Sequence, residues 1–289
     1  MAPLIVVVGP TASGKSAVSL ELAERYNGEI ICADSRTIFT HMDIGTAKPS
    51  KADQARVSHW GLDLVEPGVV FTAADFKKYA EEKIADIRAR GKVPFLVGGS
   101  GLYIDAIIFN YQFGPTADPR QRAELESMTL SELHKYCFEN NIILPENDQN
   151  KRYVIRAIEQ KSINRERLQQ PIDNTIIVGI TTEKSELHDR IAQRAEQLFD
   201  DGMIEEATEL GNKYGWENEA MTGNIYRLVH QYVNGELHKA ELKDRFIISD
   251  RQLAKRQLTW LKRNSYIQWF SRDDAYTYIA QHLASVNNT

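Results

Sequence analysis

The residues with the most informative chemistry form the segment GPTASGKS near the start of the chain. It follows the apolar run Leu4 to Val8 and leads into a helical pattern of apolar residues. In this spacing the glycines turn backbone amides inward, Lys15 reaches a terminal phosphate, and the Ser16 hydroxyl can bind Mg²⁺. An ordinary glycine turn is the alternative. We predict a phosphate-binding loop of Gly9, Pro10, Thr11, Ala12, Ser13, Gly14, Lys15 and Ser16, with Ser16 as the metal ligand.

Two polar residues follow the ends of other apolar runs. Asp34 comes after EIICA, and Ser100 lies in GGSG after VPFLV. Because ligands bind beyond the carboxyl ends of strands in open parallel sheets, both side chains can share one crevice with Lys15. The alternatives are a turn or N-cap aspartate and a serine in a simple glycine turn.

The apolar run before Ser100 ends without an acidic residue. Nucleotide hydrolases of this loop class usually hold Mg²⁺ with such a residue, so ATP hydrolysis is disfavoured. Asp34 can instead be a general base that deprotonates an acceptor while the loop holds the phosphates of the donor. Two outcomes stay open: the phosphoryl group moves, or the organic group moves and diphosphate leaves.

Two basic segments, 151–167 and 243–263, stand out from an acidic chain. At about 100° per residue the second has a cationic and an apolar face, and no acid occurs within 253–263. We predict that the cationic face contacts a phosphate backbone; a solvated charged face is the alternative. The cationic face comprises Arg251, Lys255, Arg256, Lys262 and Arg263, and the apolar face Leu253, Ala254, Leu258, Trp260 and Leu261. For Arg120, Arg122, Tyr226 and Arg227, position alone leaves site and surface roles open.

The elements that must position these residues read as α/β. Short β-branched runs alternate with helical patterns, which predicts a parallel sheet. These runs vanish between Phe113 and Pro171, and the pattern after Ile180 is helical. We predict a P-loop NTPase-like core (1–112 and 172–289) with an inserted helical domain (113–171) and a helical C-terminal part. Strands are predicted at 4–8, 29–33, 93–97 and 175–180, with 61–65 as a weaker edge candidate. Helices are predicted at 14–26, 74–90, 131–140, 185–199, 225–232, 247–263 and 275–284.

The composition is that of an ordinary globular protein. The chain has 289 residues, of which 42% are hydrophobic and 26% charged, and a formal net charge of -5. This charge argues against a nonspecific nucleic-acid coat but allows a local basic face. The first apolar run is too short to span a membrane, and Cys32 and Cys137 have no metal spacing. We expect a cytoplasmic monomer with buried thiols and no membrane anchor.

Eight segments follow one another along the chain: GPTASGKS, ADSRTIFTHMDIGTAKP, SHWGLDLVEP, AADF, VGGSGLY, ADPRQR, KRYVIRAIE and RQLAKRQLTWLKR. In this order they resemble the tRNA dimethylallyltransferase (tRNA isopentenyltransferase) family. The resemblance runs from about residue 4 to residue 263. MDIGTAKP and KRQLTWLK are much more specific than the phosphate-binding loop, which many unrelated proteins share.

The resemblance implies prenyl transfer. The donor would be dimethylallyl diphosphate, the acceptor the exocyclic N6 of the adenosine immediately 3′ of the tRNA anticodon, and the cofactor Mg²⁺. The phosphate-binding loop would then hold a leaving group, whose charge Lys15 and the metal neutralise. The acceptor base must leave its stack, at low cost in a single-stranded loop. The helical insertion would close on the anticodon stem-loop.

The same resemblance implies roles for individual residues. Asp34 matches the base, Ser100 a diphosphate-binding hydroxyl, and Arg227 an arginine that neutralises the leaving group. Contacts with tRNA are implied for Asp34, Ser35, Arg36, Thr37, Arg122, Arg152, Tyr153, Val154, Ile155, Arg156, Tyr226, Arg227, Lys255, Arg256, Gln257, Thr259, Trp260 and Lys262.

Several positions depart from the family pattern. Ser100 stands where threonine is usual, which keeps the hydroxyl and removes a methyl group. The other departures bear on base recognition and on the placement of Arg227. They are Thr37 and Phe39 in place of glutamine and tyrosine, Trp60 in place of histidine, and Asn224 and Ile225 in a turn that usually contains glycine.

Three other functions fit parts of the pattern. An isopentenyltransferase acting on free adenine nucleotides would share the crevice but have no use for the basic helix. A small-molecule kinase would use Asp34 as the base for a hydroxyl acceptor. A catalytically inactive RNA-binding protein would need the basic face but not Asp34.

Overall fold

The computed structural model describes residues 1–114, 118–161 and 166–286. The chain divides into two compact units. Unit 1 comprises Met1–Ile104 and Asp173–Thr289, and unit 2 comprises Asp105–Ile172.

Unit 1 contains a six-stranded sheet in the order β3-β2-β4-β1-β5-β6, in which every paired neighbour is parallel. Val6 in the centre lies opposite Leu96 on one side and Ile177 on the other. The central strands are buried on both faces, which is why they read as uninterrupted apolar runs. The strands are β1 (Leu4–Val8), β2 (Gly28–Ala33), β3 (His59–Trp60), β4 (Val93–Gly98), β5 (Thr175–Ile180) and β6 (Gln268–Phe270).

The four main predicted strands and the α/β class are confirmed, whereas the edges of the sheet differ from the prediction. The edge strand is β3, not 61–65, because Gly61 leaves extended geometry at φ +82°. Phe39 and Val65 form only an isolated bridge. The prediction of an all-helical pattern after Ile180 is wrong at β6, which pairs with β5 from Val178 to Ile180.

The predicted helices are all present, with small shifts at their ends and one large extension. The last basic segment belongs to a helix that begins at Lys239 rather than at residue 247. The helices of the first half are α1 (Lys15–Arg25), α2 (Lys51–Arg56), α3 (Ala73–Ala89) and α4 (Gly101–Ile108), followed by α5 (Pro119–Ser127), α6 (Leu130–Glu139) and α7 (Lys151–Gln160). Those of the second half are α8 (Lys184–Asp200), α9 (Met203–Tyr214), α10 (Asn224–Val233), α11 (Lys239–Leu261) and α12 (Arg272–Val286), with a 3₁₀ turn at Glu219–Thr222 before α10.

Two hydrophobic clusters among the described residues of unit 1 bear on the position of the site. The first packs the sheet against α1 and α12, with Ile5, Phe95 and Ile279 fully buried, and it includes the Cys32 thiol. The second lies among α8, α9, α10 and α11 and takes in Ile38 and Phe39, which follow the end of β2. The segment after β2 is therefore held by the helices of the second half of the chain.

Unit 2 has a core of its own. Leu125, Leu133 and Ile158 bring α5, α6 and α7 together, and the Cys137 thiol is buried with them. Helix α6 begins with a capping box in which Thr129 and Glu132 satisfy each other's backbone amides. The short apolar runs in this charged stretch are thus enough for a small helical cluster.

The amino-terminal end of β2 carries a buried carboxylate, Glu29, whose side chain is 2% exposed. Arg90 donates to both of its oxygens at 2.5 and 2.7 Å, Lys92 donates at 2.7 Å, and Trp60 Nε1 donates at 2.7 Å. The Arg90 guanidinium is the main cause that lowers the pKa of Glu29 to about 2, with smaller contributions from Lys92 and Trp60. The cluster ties β2 to β3 and to the start of β4.

We predict that Glu29→Gln destabilises the fold at neutral pH by about 3 kcal/mol, because it leaves Arg90 and Lys92 without their shared anion. The folded-state pKa lies below the unfolded value, so this stability is present above about pH 4.5 and is lost as the pH falls towards 2. Urea unfolding at several pH values measures the difference. Glu81→Gln, which removes an exposed pair with Lys77, should cost less than about 1 kcal/mol. Equal destabilisation by both variants would contradict this account of Glu29.

Candidate active site

A cavity of about 930 Å³ opens in unit 1 where the carboxyl ends of β1, β2 and β4 meet. The phosphate-binding loop follows β1, Asp34 follows β2, and Ser100 follows β4. All three therefore line one cavity, as the strand-end argument predicts. The cationic side chains along the cavity are Lys15, Arg36, Arg190, Arg194, Arg256 and Arg272, and the carboxylates are Asp34 and Asp250. This excess of positive charge suits a polyanion.

The phosphate-binding loop has the backbone expected of an anion cradle. Gly14, in the left-handed region at φ +90°, caps the start of α1. Ala12 also has a positive φ, of 61°. A Cβ on Gly9 would lie 2.7 Å from Ser13 Oγ, so the loop closes tightly on itself. The Lys15 ammonium donates to the Pro10 carbonyl at 3.1 Å, which folds its side chain back over the loop.

Thr11 connects this loop to two distant helices. Its backbone amide donates to Gln257 Oε1 of α11 at 2.8 Å, and its hydroxyl accepts from the Arg194 guanidinium of α8. Arg190, one helical turn before Arg194, donates to the Ser13 carbonyl at 3.3 Å. The loop's conformation thus depends on residues far away in the sequence.

Lys15 is the most strongly perturbed cation of the cavity. Burial is the main cause that lowers its pKa to about 8; the Asp34 carboxylate opposes the shift and the Arg194 guanidinium adds to it. A desolvated ammonium gains free energy when an anion arrives, because the anion replaces lost hydration. Lys15 is therefore poised to bind a phosphate group.

Asp34 and Ser100 are linked through the turn that follows β2. Asp34 Oδ1 accepts from the Arg36 amide at 2.8 Å, which fixes the carboxylate at the mouth of the strand. Ser100 Oγ accepts from the Ser35 amide at 3.1 Å. Since a hydroxyl carries one proton, this leaves the Ser100 O–H as a donor towards the cavity.

Two charged side chains, Arg36 and Glu206, hold other segments that line the cavity in place. The Arg36 guanidinium donates to the carbonyls of Glu219 and Ala220 and to Thr222 Oγ1, so it holds the 3₁₀ turn before α10. Glu206 of α9 accepts from three consecutive backbone amides, 43–45, at 2.6 to 2.9 Å, and from the Tyr226 hydroxyl at 3.0 Å. These hydrogen bonds to Glu206 fix the start of the GTAKP segment, which lines the cavity.

The cationic face predicted for α11 is exposed over Lys255, Arg256 and Lys262, together with Thr259. Ala254 and Leu261 are buried beneath it, as the helical periodicity predicts. Two residues predicted to contact tRNA turn inward instead. Gln257 binds the Thr11 amide, and Trp260 packs against Gly101, where a Cβ would lie 2.0 Å from its ring.

Three further predicted tRNA or catalytic residues differ in their accessibility. Tyr226 lines the cavity, but it is only 1% exposed and its hydroxyl donates to Glu206. Thr37 is also buried, with its hydroxyl 3.4 Å from the Asp34 carbonyl. Arg227 is exposed on α10 and is not part of the cavity lining. Arginines of α8, α11 and α12 line the cavity.

In unit 2, only part of the segment predicted to contact tRNA, residues 152–156, is exposed. Val154 and Ile155 are buried in the core of the unit and offer no free surface. Arg152 and Tyr153 are exposed. The guanidinium groups of Arg122 and Arg156 both bind the buried Glu159 carboxylate. Arg122 and Arg156 thus serve the unit's own stability.

Sequence reasoning assigns no role to Arg190, Arg194, Arg272 or Asp250, which all line the cavity. The spacing of Arg190 and Arg194 places them on one face of a helix, and this signal is visible in the sequence. Which neighbour that face meets is a tertiary fact. Asp250 gives no signal, because it lies among charged residues of a long helix and only the fold buries it.

Among the described residues, neither a metal cluster nor a membrane-spanning helix occurs. Among residues 1–114, 118–161 and 166–286, no group of three His, Cys, Asp or Glu side chains is arranged to hold a metal ion. In the same part of the chain, every helix is too short or too polar to cross a bilayer.

Known proteins resemble this chain in sequence and in fold. The sequence profile of the IPP transferase family matches residues 37–264. A tRNA dimethylallyltransferase of Staphylococcus aureus is 36% identical over 94% of this chain and 93% of its own length. The crystal structure of a full-length tRNA isopentenylpyrophosphate transferase from Bacillus halodurans covers 100% of this chain and 99% of its own, at 33% identity and a TM-score of 0.76. A eukaryotic dimethylallyltransferase acting on tRNA, at 21% identity, 94% and 74% coverage and a TM-score of 0.79, shares the fold. The profile match and the near full-length identity show that this chain belongs to the IPP transferase family.

Proposed function

We propose that this enzyme transfers a dimethylallyl group from dimethylallyl diphosphate to N6 of the adenosine immediately 3′ of the anticodon in tRNA. The observation that carries the proposal is one cavity in which the Asp34 carboxylate shares space with a phosphate-binding loop and a set of arginines. A base beside a diphosphate cradle suits transfer of the organic group with release of diphosphate. The relatives named above act on tRNA or are named for the same transfer.

In the proposed step, the bond between C1 of the dimethylallyl group and the diphosphate oxygen breaks, and its electron pair leaves with the diphosphate. The N6 lone pair forms the new bond to C1, and the N6 proton passes to the Asp34 carboxylate. Lys15 and the cavity arginines neutralise the negative charge that grows on the leaving oxygen. The Ser100 hydroxyl is positioned by Ser35 to donate to the same group.

Mg²⁺ fits this site in combination with the diphosphate. Ser16 is exposed at the start of α1 and lines the cavity, so its hydroxyl can serve as one ligand. Since Mg²⁺ commonly takes its remaining ligands from phosphate oxygens and water, a protein cluster of three carboxylates is not required. The ion would supply Lewis-acid neutralisation of the diphosphate.

The direct test is an assay of purified protein with dimethylallyl diphosphate, Mg²⁺ and an anticodon stem-loop that carries the target adenosine. Mass analysis of the nucleosides should show N6-dimethylallyladenosine and release of diphosphate. Absence of the modified nucleoside would refute the proposal. Formation of ADP from ATP with a small alcohol would instead indicate a kinase, and prenylation of free AMP but not of the stem-loop would indicate the nucleotide-specific enzyme.

We predict that Asp34→Asn lowers turnover by about 10² or more, because the amide cannot accept the N6 proton. Affinity for the stem-loop should stay nearly unchanged, since the amide oxygen can still accept from the Arg36 amide. Single-turnover rates and stem-loop binding measure the two effects. Wild-type turnover in the variant would remove Asp34 from the chemistry.

Lys255→Ala should weaken stem-loop binding and reduce the salt dependence of its affinity by about one unit of slope, because one phosphate contact is lost. Arg256→Ala should do the same. Lys239→Ala is the matched control, since this exposed lysine lies at the other end of α11, about 24 Å away along the helix. If the salt dependence of stem-loop affinity is the same in all these variants and in the wild type, the basic face is an ordinary solvated surface.

The affinity of the free enzyme for dimethylallyl diphosphate should fall about tenfold between pH 7 and pH 9, because Lys15 with a pKa of about 8 loses its proton over this range. Bound diphosphate favours the ammonium form, so binding at pH 8 to 9 should take up a proton. Calorimetry in buffers of different ionisation enthalpy measures this uptake. Lys15→Arg, which stays charged, should show no such fall.

A further inference from the structure

Arg194 and Asp250 form a charged pair at the back of the cavity, next to the phosphate-binding loop. The Arg194 guanidinium donates to Asp250 Oδ2 at 3.2 Å and also contacts the Thr11 hydroxyl. The Asp250 side chain is 7% exposed, and the Arg194 side chain is 26% exposed. The carboxylate is therefore enclosed by protein, while the guanidinium still reaches the cavity.

This pair places a second cation beside the partly buried Lys15. Arg194 contacts Thr11 of the same loop over which the Lys15 side chain folds, and both side chains line one cavity, so their charges repel. Two neighbouring cations, one of them desolvated, are unfavourable in the unliganded protein. An anion with several negative charges removes the repulsion, because both groups can then contact it.

Asp250 is suited to hold Arg194 in place. Burial raises the pKa of its carboxyl group, and the Arg194 guanidinium and a hydrogen bond from the Asn224 side chain oppose that shift. Because an arginine side chain has several rotatable bonds, an enclosed carboxylate that fixes one edge of the guanidinium lowers the entropy cost of binding with the remaining N–H groups.

We infer that Arg194 binds the diphosphate group together with Lys15, and that Asp250 is the positioning residue that orients it. The inference rests on the proposed function for the identity of the diphosphate. It adds a charge-neutralising arginine of α8 to Arg227 of α10, which the sequence resemblance implies.

The first experiment measures binding of inorganic diphosphate, with Mg²⁺, to the whole protein by calorimetry at one neutral pH. Arg194→Ala should weaken binding by about 10-fold to 100-fold, the usual effect of losing a charged hydrogen bond. Arg194→Lys should lie between this variant and the wild type, because an ammonium cannot contact Thr11, Asp250 and the ligand as a planar fork does. The exposed Arg245→Ala is the control and should bind within about twofold of the wild type.

The second experiment tests whether Asp250 acts through Arg194. Asp250→Asn should weaken diphosphate binding by about threefold to tenfold, and the same change in an Arg194→Ala background should add less than about twofold. With dimethylallyl diphosphate as substrate, Arg194→Ala should raise KM for this donor, and its affinity for the stem-loop should match that of the wild type. A change that merely loosened the fold would lower both affinities.

The outcomes separate this inference from the proposed function. If the wild type binds diphosphate and Arg194→Ala binds it equally well, Arg194 has no role and the inference is wrong. If Asp250→Asn weakens diphosphate binding by the same factor in the wild type and in the Arg194→Ala background, Asp250 does not act through Arg194. If the wild type itself does not bind diphosphate, the proposed function fails first. Thermal unfolding of each variant identifies any that do not fold, and Arg194→Lys then decides in place of Arg194→Ala.

Discussion

The two bonds of Thr11 hold the active site together. Its amide binds Gln257 and its hydroxyl binds Arg194, so the loop that begins near residue 9 is fixed by helices that lie about two hundred residues later. A loop whose amides and ammonium converge on an anion gathers like charge and unpaired donors, which it cannot stabilise by itself. The lining of the cavity is therefore complete only when α8 and α11 have packed against the phosphate-binding loop.

The cations that line the cavity repel one another, and carboxylates placed among them reduce this repulsion. Lys15 is partly buried and shares the cavity with arginines from α8, α11 and α12, while Asp34 and Asp250 are the carboxylates that line the same space. These two acids have different environments. Asp34 is partly exposed and bound by a backbone amide, so it can accept a proton, whereas Asp250 is enclosed and paired with Arg194. The separation allows one acid to react and the other to support a cation.

Local sequence patterns predict an element well where its own residues are enough to define it. The strands β1 and β5 have the predicted bounds, because an apolar run between turn residues already defines a buried strand. Strand β6 has three residues, too few for any periodicity, and it becomes a strand because the edge of β5 offers backbone partners. Similarly, α11 extends to Lys239 because its first turns pack Leu242 and Phe246 into the second core, where the basic pattern gives no hint.

The sequence alone determines the phosphate-binding loop, the convergence of Lys15, Asp34 and Ser100 at strand ends, and the exposed basic face of α11. Each of these follows from short-range spacing, through backbone geometry or helical periodicity. Tertiary structure decides which side chains along those segments face the ligand. It turns Gln257 towards the phosphate-binding loop, buries Tyr226, Val154 and Ile155, and brings Arg190 and Arg194 to the loop. The reason is physical: a side chain's spacing is local, but its burial and charge partners belong to whichever element packs against it.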